Sequence, residues 1–285
     1  MRLTIVTINF NNYEGLKKTI DSIRCQTWRK FEWIVIDGGS TDGSKDLIES
    51  VKDELTYWCS EPDKGIYNAM NKGVAKAKGE YVLFMNSGDC LHDSKVLEDI
   101  FQYKQYNADI LIGKVLHIED NIIVNKYSIE SGLLEYWEIN RGICHQGTFT
   151  KLDLLRKYPF DENFRIISDW KFWRQTLVLN NYSVYIINRL VADYDLTGIS
   201  STNKELMEKE KKEAMSQLFS PTLANSLKEY EDIKNSIIYV RLIYMKKYHP
   251  FLYKLSQKML ALILLFFMIT NKKIYEKQSL YYCKK

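Results

Sequence analysis

The sequence predicts an α/β fold with a mostly parallel central sheet, followed by a helical C-terminal appendage. Three observations carry that expectation. Short apolar runs alternate with amphipathic stretches through the first half, the pattern of repeated βα units. The 285 residues, 46% apolar and 27% charged, suffice for an ordinary buried core. The charge is also divided along the chain: residues 239–285 hold ten Lys/Arg and one acid, Glu276, a balance of +9 that leaves −5 for residues 1–238.

Leu3 to Ile8 reads as a first buried strand. A crossover helix follows, punctuated by Gly15, with Leu16, Ile20 and Ile23 on one face. Trp33 to Ile36 is the second strand, and past the turn at Thr41-Asp42-Gly43 the residues Leu47, Ile48 and Val51 form the next covering stripe. Tyr81 to Met85 is a third strand. Leu97, Ile100 and Phe101 mark a helix that leads to a strand at Asp109 to Gly113. From Tyr127 to Phe172 the pattern loosens and aromatics accumulate. Residues 203–219 are strongly charged and helical in composition, with Leu206, Met207, Ala214, Met215, Leu218 and Phe219 as anchors. The boundary is therefore expected between a domain at 1–202 and a helical extension at 203–285. The extension carries an apolar run from Met259 to Ile269.

Several classes are excluded early. Five cysteines, an odd number without C-x-x-C spacing, suggest neither a disulfide framework nor a zinc site, so a reducing cytosol is expected. No signal peptide is read at the N-terminus. The acidic first part and the lack of a recognition module argue against nucleic acid. Neither G-x-G-x-x-G nor G-x-x-x-x-G-K-[ST] occurs, and residues 4 to 12 contain no glycine, which disfavours a dehydrogenase, a P-loop enzyme and a sugar-phosphate nucleotidyltransferase.

Open α/β sheets bind ligands at strand ends, and three acids fall at such points here: Asp37, Asp63 and Asp89. Asp37 ends the second strand and enters Gly38-Gly39-Ser40-Thr41-Asp42-Gly43-Ser44, where glycine lets a ligand approach the backbone. Its carboxylate either accepts an N–H from a base or makes an Asx-type turn.

Val35 to Ser44 resembles the sugar-donor segment of family 2 inverting glycosyltransferases. Thr7-Ile8-Asn9-Phe10-Asn11-Asn12, Glu61 to Gly73 and Gly79 to Asp89 resemble further motifs of that family, in the same order. The resemblance implies a GT-A fold, hexosyl transfer from a nucleoside diphosphate sugar and a divalent metal, Mg²⁺ or Mn²⁺. It places Thr7, Asn9, Asp37, Asp63, Lys72, Asn86 and His145 around the sugar donor, with Asp37 and Asp63 on a nucleoside, uridine most commonly. The family's Asp-x-Asp-Asp cluster is thinned here to Asn86-Ser87-Gly88-Asp89. Asp89 is then the anionic metal ligand, Asn86 offers a carbonyl oxygen, and the diphosphate completes the shell. Its alternative is a turn residue.

Asp169, in Ile167-Ser168-Asp169-Trp170-Lys171, resembles the family's acidic position and is the expected catalytic base; a helix N-cap is the other role for it. His145, in the segment Arg141 to Gly147, faces diphosphate, metal or acceptor, or is structural. Lys72 reaches a phosphate or caps a solvated helix end. Asp195 to Ser201 resembles a Gly-containing loop near the diphosphate. Trp137, Tyr136, Phe149, Trp170 and Trp173 are expected to shape the acceptor pocket.

The resemblance points to a glycan or lipid-linked acceptor in surface-polysaccharide assembly. A non-catalytic nucleotide-sugar-binding or scaffolding protein is the competing reading, motivated by the thinned cluster. The tail predicts docking on an anionic membrane surface from the cytoplasmic side, since the eleven apolar residues fall short of the roughly 20 that span a bilayer. Packing on the catalytic domain or a homo-oligomeric seam is the alternative.

Overall fold

A computed structural model of the chain describes residues 2–120, 122–129, 134, 136–198 and 203–270. The chain divides into two compact units, Met1–Phe219 and Ser220–Lys285.

Among the described residues the first unit is built on nine strands: β1 (Leu3–Asn9), β2 (Phe31–Asp37), β3 (Tyr57–Ser60), β4 (Tyr81–Phe84), β5 (Cys90–Leu91), β6 (Ile110–Glu119), β7 (Ile122–Tyr127), β8 (Thr148–Lys151) and β9 (Val184–Asp195). They form one sheet in the order β3-β2-β1-β4-β8-β6-β9-β5, with β7 paired to β6. The expected parallel core is present: β1 runs parallel to β2 and β4, and β2 to β3. Beyond β4 the sheet becomes mixed, because β8 pairs antiparallel with both β4 and β6. All seven residues of β1 are buried, as a strand covered on both faces requires. Leu3 and Ile5 join the core with Leu16, Ile20 and Ile23 of helix α1 (Tyr13–Arg24). Val6 and Ile8 face Tyr67, Met70 and Val74 of α3 (Ile66–Lys76), while α2 (Ser44–Ser50) follows β2. A Cβ at Gly73 would stand 2.4 Å from Val6, so only glycine lets α3 cross the sheet this closely.

The helices α4 (Val96–Phe101), α5 (Tyr136–Arg141), α6 (Leu152–Lys157) and α7 (Ser168–Trp173) complete the frame, and α7 continues into a π-helical turn at Arg174–Leu179.

The division after residue 202 is not the one observed. The charged helix α8 (Lys204–Leu218) belongs to the first unit, where fully buried Ala214 packs with Phe164, Ile166, Ile167 and Trp170. Glu210 on α8 is 6% exposed and accepts the Arg165 and Ile166 backbone N–H groups at 2.8 and 3.0 Å. Charge in this helix thus conceals a narrow apolar stripe and a buried carboxylate that ties down the approach to α7.

The second unit comprises α9 (Pro221–Asn235), α10 (Ile237–Tyr248) and α11 (Pro250–Thr270). Ser220 and Ser236 cap α9 and α10 through their side chains, which sets the two breaks. Ile237, Ile238 and Phe251 are 68%, 72% and 77% exposed. Among the described residues, no helix is long and apolar enough to cross a membrane. Lys272, Lys273 and Lys277 lie outside the described residues.

Candidate active site

Parallel pairing aligns Asn9 with Asp37 at the ends of β1 and β2. Asp37 is fully buried, and five groups donate to its carboxylate. Asn9 Nδ2 and Ser40 Oγ reach Oδ1 at 2.8 and 2.6 Å, while the Ser40 N–H, the Gly39 N–H and Ser60 Oγ reach Oδ2 at 2.9, 3.2 and 2.7 Å. Burial pushes this carboxyl upward, but the hydrogen bonds from Ser40, Ser60 and Asn9 outweigh it and hold it below the ordinary carboxylate range. With these five donors the Asp37 carboxylate organises the loop from beneath. Asn9 is likewise buried, orienting Asp37. Thr7 is also a core residue, since its hydroxyl accepts the Trp33 indole N–H at 3.1 Å and is 0% exposed.

The loop after β3 brings Asp63, half-buried, against this one. A Cβ at Gly38 would lie 2.7 Å from Asp63 Oδ2 and 3.1 Å from the Phe10 ring, so Gly38 is the floor on which carboxylate and ring converge. Phe10 is 63% exposed beside Asn11, whose φ of 48° turns the chain there. Nothing in the sequence pattern marked Phe10 except its place after Asn9. Lys72 sits at the rim, paired with Glu61 at 2.8 Å.

The loop after β4 is tied to α1 through Thr19, whose hydroxyl donates to the Asp89 carbonyl at 2.7 Å and accepts the Gly88 N–H at 3.0 Å. The Asp89 carboxylate is 4% exposed; Oδ1 accepts the Asp195 N–H at 3.1 Å and Oδ2 the Gln146 amide at 3.2 Å. Burial raises its pKa to about 7, against the partial relief of His145 and those two hydrogen bonds. Each oxygen keeps a lone pair, and buried Asn86 Oδ1 has no hydrogen-bond partner among the described residues. These are hard oxygen donors of the kind Mg²⁺ and Mn²⁺ take, so the residues fit a divalent cation held jointly with substrate phosphates. No group of three or more His, Cys, Asp or Glu side chains among the described residues would hold a metal by itself.

Asp169, Asn86 and His145 meet in one chain of contacts. Asn86 Nδ2 lies 3.0 Å from His145 Nε2, and His145 Nδ1 lies 3.0 Å from Asp169 Oδ2. With the amide donating to Nε2, the imidazole proton sits on Nδ1 and points at the carboxylate. The side chains of His145 and Asp169 are 17% and 18% exposed, buried enough to be held and open enough to meet a ligand. Asp169 is the second residue of α7; its Oδ1 accepts the first-turn Trp170 N–H at 2.9 Å and the Tyr67 hydroxyl at 2.8 Å. In the sequence Tyr67, Gln146 and Asp195 stand only inside longer motif segments, with no role of their own.

The aromatic pocket is corrected in part. Phe149, Trp170 and Trp173 are 0%, 8% and 2% exposed; Trp170 and Trp173 donate their indole N–H groups to the carbonyls of Asn140 and Ile143. They are core residues, in three separate apolar clusters, rather than a lining. The Trp137 side chain and Ile199 to Ser201 lie outside the described residues.

This fold, with acidic loops at the ends of parallel strands, is a GT-A fold. Residues 4–164 match Glycosyl transferase family 2; the chain belongs to that family and is a glycosyltransferase, which sets aside the scaffold reading. It is 29% identical over 212 residues to an uncharacterized glycosyltransferase of Mycobacterium tuberculosis (strain CDC 1551 / Oshkosh), covering 70% of this chain and 77% of the relative. It is 27% identical over 215 residues to a PGL/p-HBAD biosynthesis glycosyltransferase of Mycobacterium bovis (strain BCG / Pasteur 1173P2), covering 72% and 82%. The fold is similar to that of S. aureus TarS 1-349 in complex with UDP-GlcNAc, with a TM-score of 0.65 and 18% identity over 76% of this chain and 65% of TarS 1-349. It is also similar to the mannosyltransferase PcManGT from Pyrobaculum calidifontis in complex with GDP-Man and Mn2+, with a TM-score of 0.56 and 14% identity over 93% and 80%.

Proposed function

We propose that this enzyme moves a sugar, with inversion, from a UDP-sugar to a hydroxyl of a glycan or lipid-linked oligosaccharide in surface-polysaccharide assembly. The observation that carries the proposal is the Asn86–His145–Asp169 chain, which ties the loop beneath the leaving group to a carboxylate on the acceptor side. TarS binds UDP-GlcNAc and PcManGT binds GDP-Man, which supports a nucleotide-sugar donor. The relative named for PGL/p-HBAD biosynthesis supports a lipid-borne acceptor.

Phe10 stacks on the base and Asp63 hydrogen-bonds the nucleoside, over the floor that Asp37 organises. Asp89 and Asn86 Oδ1 would hold the divalent metal, and the bound cation would supply charge neutralisation of the departing diphosphate. His145 orients Asp169. Asp169 takes the proton of the incoming hydroxyl as its oxygen attacks C1 and the C1–O bond to the diphosphate breaks. Asp169→Asn should lower kcat on the order of 10²-fold while leaving UDP-sugar affinity nearly unchanged. A folded Asp169→Asn enzyme with near-normal kcat would remove the base from this scheme.

The second unit brings the enzyme to a lipid-linked acceptor by peripheral docking on the inner, cytoplasmic face of the plasma membrane. Supporting this are exposed Phe251, Leu252, Leu255 and Met259 on α11 together with Lys246, Lys247, Lys254 and Lys258 and the absence of any acid from 239 to 275. Each basic residue near an anionic surface adds about 1 kcal/mol. Full-length protein should float with vesicles rich in anionic lipid, and replacing those four lysines by glutamine should leave most of it unbound. Equal flotation of both proteins, or of neither, rejects electrostatic docking.

A further inference from the structure

We infer that Tyr67 is a positioning residue that makes Oδ2 of Asp169, and not Oδ1, the atom that receives the acceptor's proton. The inference rests on Asp169 being the base.

An ionised carboxylate offers about four lone-pair sites, two on each oxygen. On Asp169 both sites of Oδ1 are filled, by the Trp170 N–H at 2.9 Å and the Tyr67 hydroxyl at 2.8 Å. Oδ2 has a single protein partner among the described residues, His145 Nδ1 at 3.0 Å. One site therefore stays open, and it is on Oδ2. Three contacts from three directions also fix the plane of the carboxylate, so the open lone pair has a set aim. Positional precision of this kind matters because the proton leaves only as the attacking oxygen comes within bonding range of C1.

Tyr67 is suited to this by its own surroundings. It is 5% exposed on α3, with its ring 5.5 Å from that of Phe160. Burial, and then the charge of Asp169, hold its hydroxyl well above the ordinary tyrosine range, so it remains a proton donor. It has one proton and two acceptors, Asp169 Oδ1 and the Ile166 carbonyl at 2.6 Å. A charged carboxylate is the stronger acceptor, so the proton lies toward Oδ1 while Asp169 is ionised. When Oδ2 takes the proton from the acceptor hydroxyl, the charge on Oδ1 disappears and the tyrosine proton can turn to Ile166 O. No buried donor is left unpaired in either state. Ile166 is itself fixed, since its N–H is held by Glu210 of α8.

The test is Tyr67→Phe, alone and with Asp169→Asn, in full-length protein with UDP-sugar and an acceptor that the wild-type enzyme uses. Loss of one hydrogen bond to a charged group predicts a fall in kcat of about tenfold with the UDP-sugar KM unchanged. If Tyr67 acts through Asp169, Tyr67→Phe should change kcat less than about twofold in the Asp169→Asn background. The same loss in both backgrounds, or wild-type kcat in the single variant, overturns the inference. Should the phenylalanine protein not fold, 4-aminophenylalanine at position 67 replaces it: a donor without a phenol should keep kcat within about threefold, and a tenfold loss at a normal melting temperature counts against the role. Near-normal kcat in Asp169→Asn removes the base and this inference together. An inactive Asp169→Asn beside an indifferent Tyr67→Phe removes the inference alone.

Discussion

The parallel strands β2 and β4 flank β1 on its two sides and each leads to a buried aspartate, Asp37 at the end of β2 and Asp89 in the loop after β4, yet the two carboxylates are treated oppositely. Asp37 receives five hydrogen bonds and is held below the ordinary range. Asp89 receives two and is raised to about 7. A carboxylate that the chain satisfies completely is part of the architecture, because any ligand would have to displace protein groups to reach it. A carboxylate that is buried and half satisfied is stabilised as an anion only when positive charge comes beside it, which makes it suited to a cation. The same residue type at equivalent places in the βα pattern thus serves two ends, and the number of donors around it separates them.

The largest effect that separates the two is on transfer. Asp89→Ala should abolish turnover, by 10² or more, together with metal-dependent UDP binding. Asp37→Asn removes no ligand to substrate on this view, so any loss of activity in that variant should track its loss of folded protein, read from the same samples by circular dichroism. An Asp89→Ala enzyme that keeps wild-type, EDTA-sensitive turnover would erase the contrast.

The contrast also explains what the sequence made legible. The parallel core was readable from periodicity, since Leu16, Ile20 and Ile23, or Leu97, Ile100 and Phe101, recur at helical spacing and do lie inside. The acidic strand ends were readable too. Their states were not, because the deciding groups are remote in sequence: Ser60 is 23 residues from Asp37, Gln146 is 57 from Asp89, and the Asp195 N–H is 106 away. Tyr67 was legible only as part of a motif, for its partner Asp169 lies 102 residues on. The limit placed at 202 failed for a related reason. Composition reports charge, and Glu210 is charged, but its carboxylate is buried because two backbone N–H groups 44 and 45 residues earlier wait for it.

The smallest effect is on stability, and its sign differs between the two aspartates. Asp37 has a folded-state pKa below its unfolded value, so its contribution is present above about pH 4 and is lost as pH falls through the folded value. Asp89 has a folded-state pKa of about 7 against 3.8, so the folded protein binds a proton that the unfolded chain has released across that interval. Its contribution is complete below pH 3.8 and is lost as pH rises toward 7. Melting temperatures measured in EDTA from pH 4 to 8 should therefore decline toward neutrality more steeply in the wild type than in Asp89→Asn, by several degrees in all. Asp37→Asn should change only the acid side of the curve beyond its general loss of stability. Mn²⁺ added at pH 8, where Asp89 can ionise at little cost, should raise the wild-type melting temperature and leave Asp89→Asn nearly unmoved. Parallel pH curves for wild type and Asp89→Asn would mean that Asp89 is already ionised without a cation. The two loops would then differ in donor count but not in charge state, and the contrast would lose its physical basis.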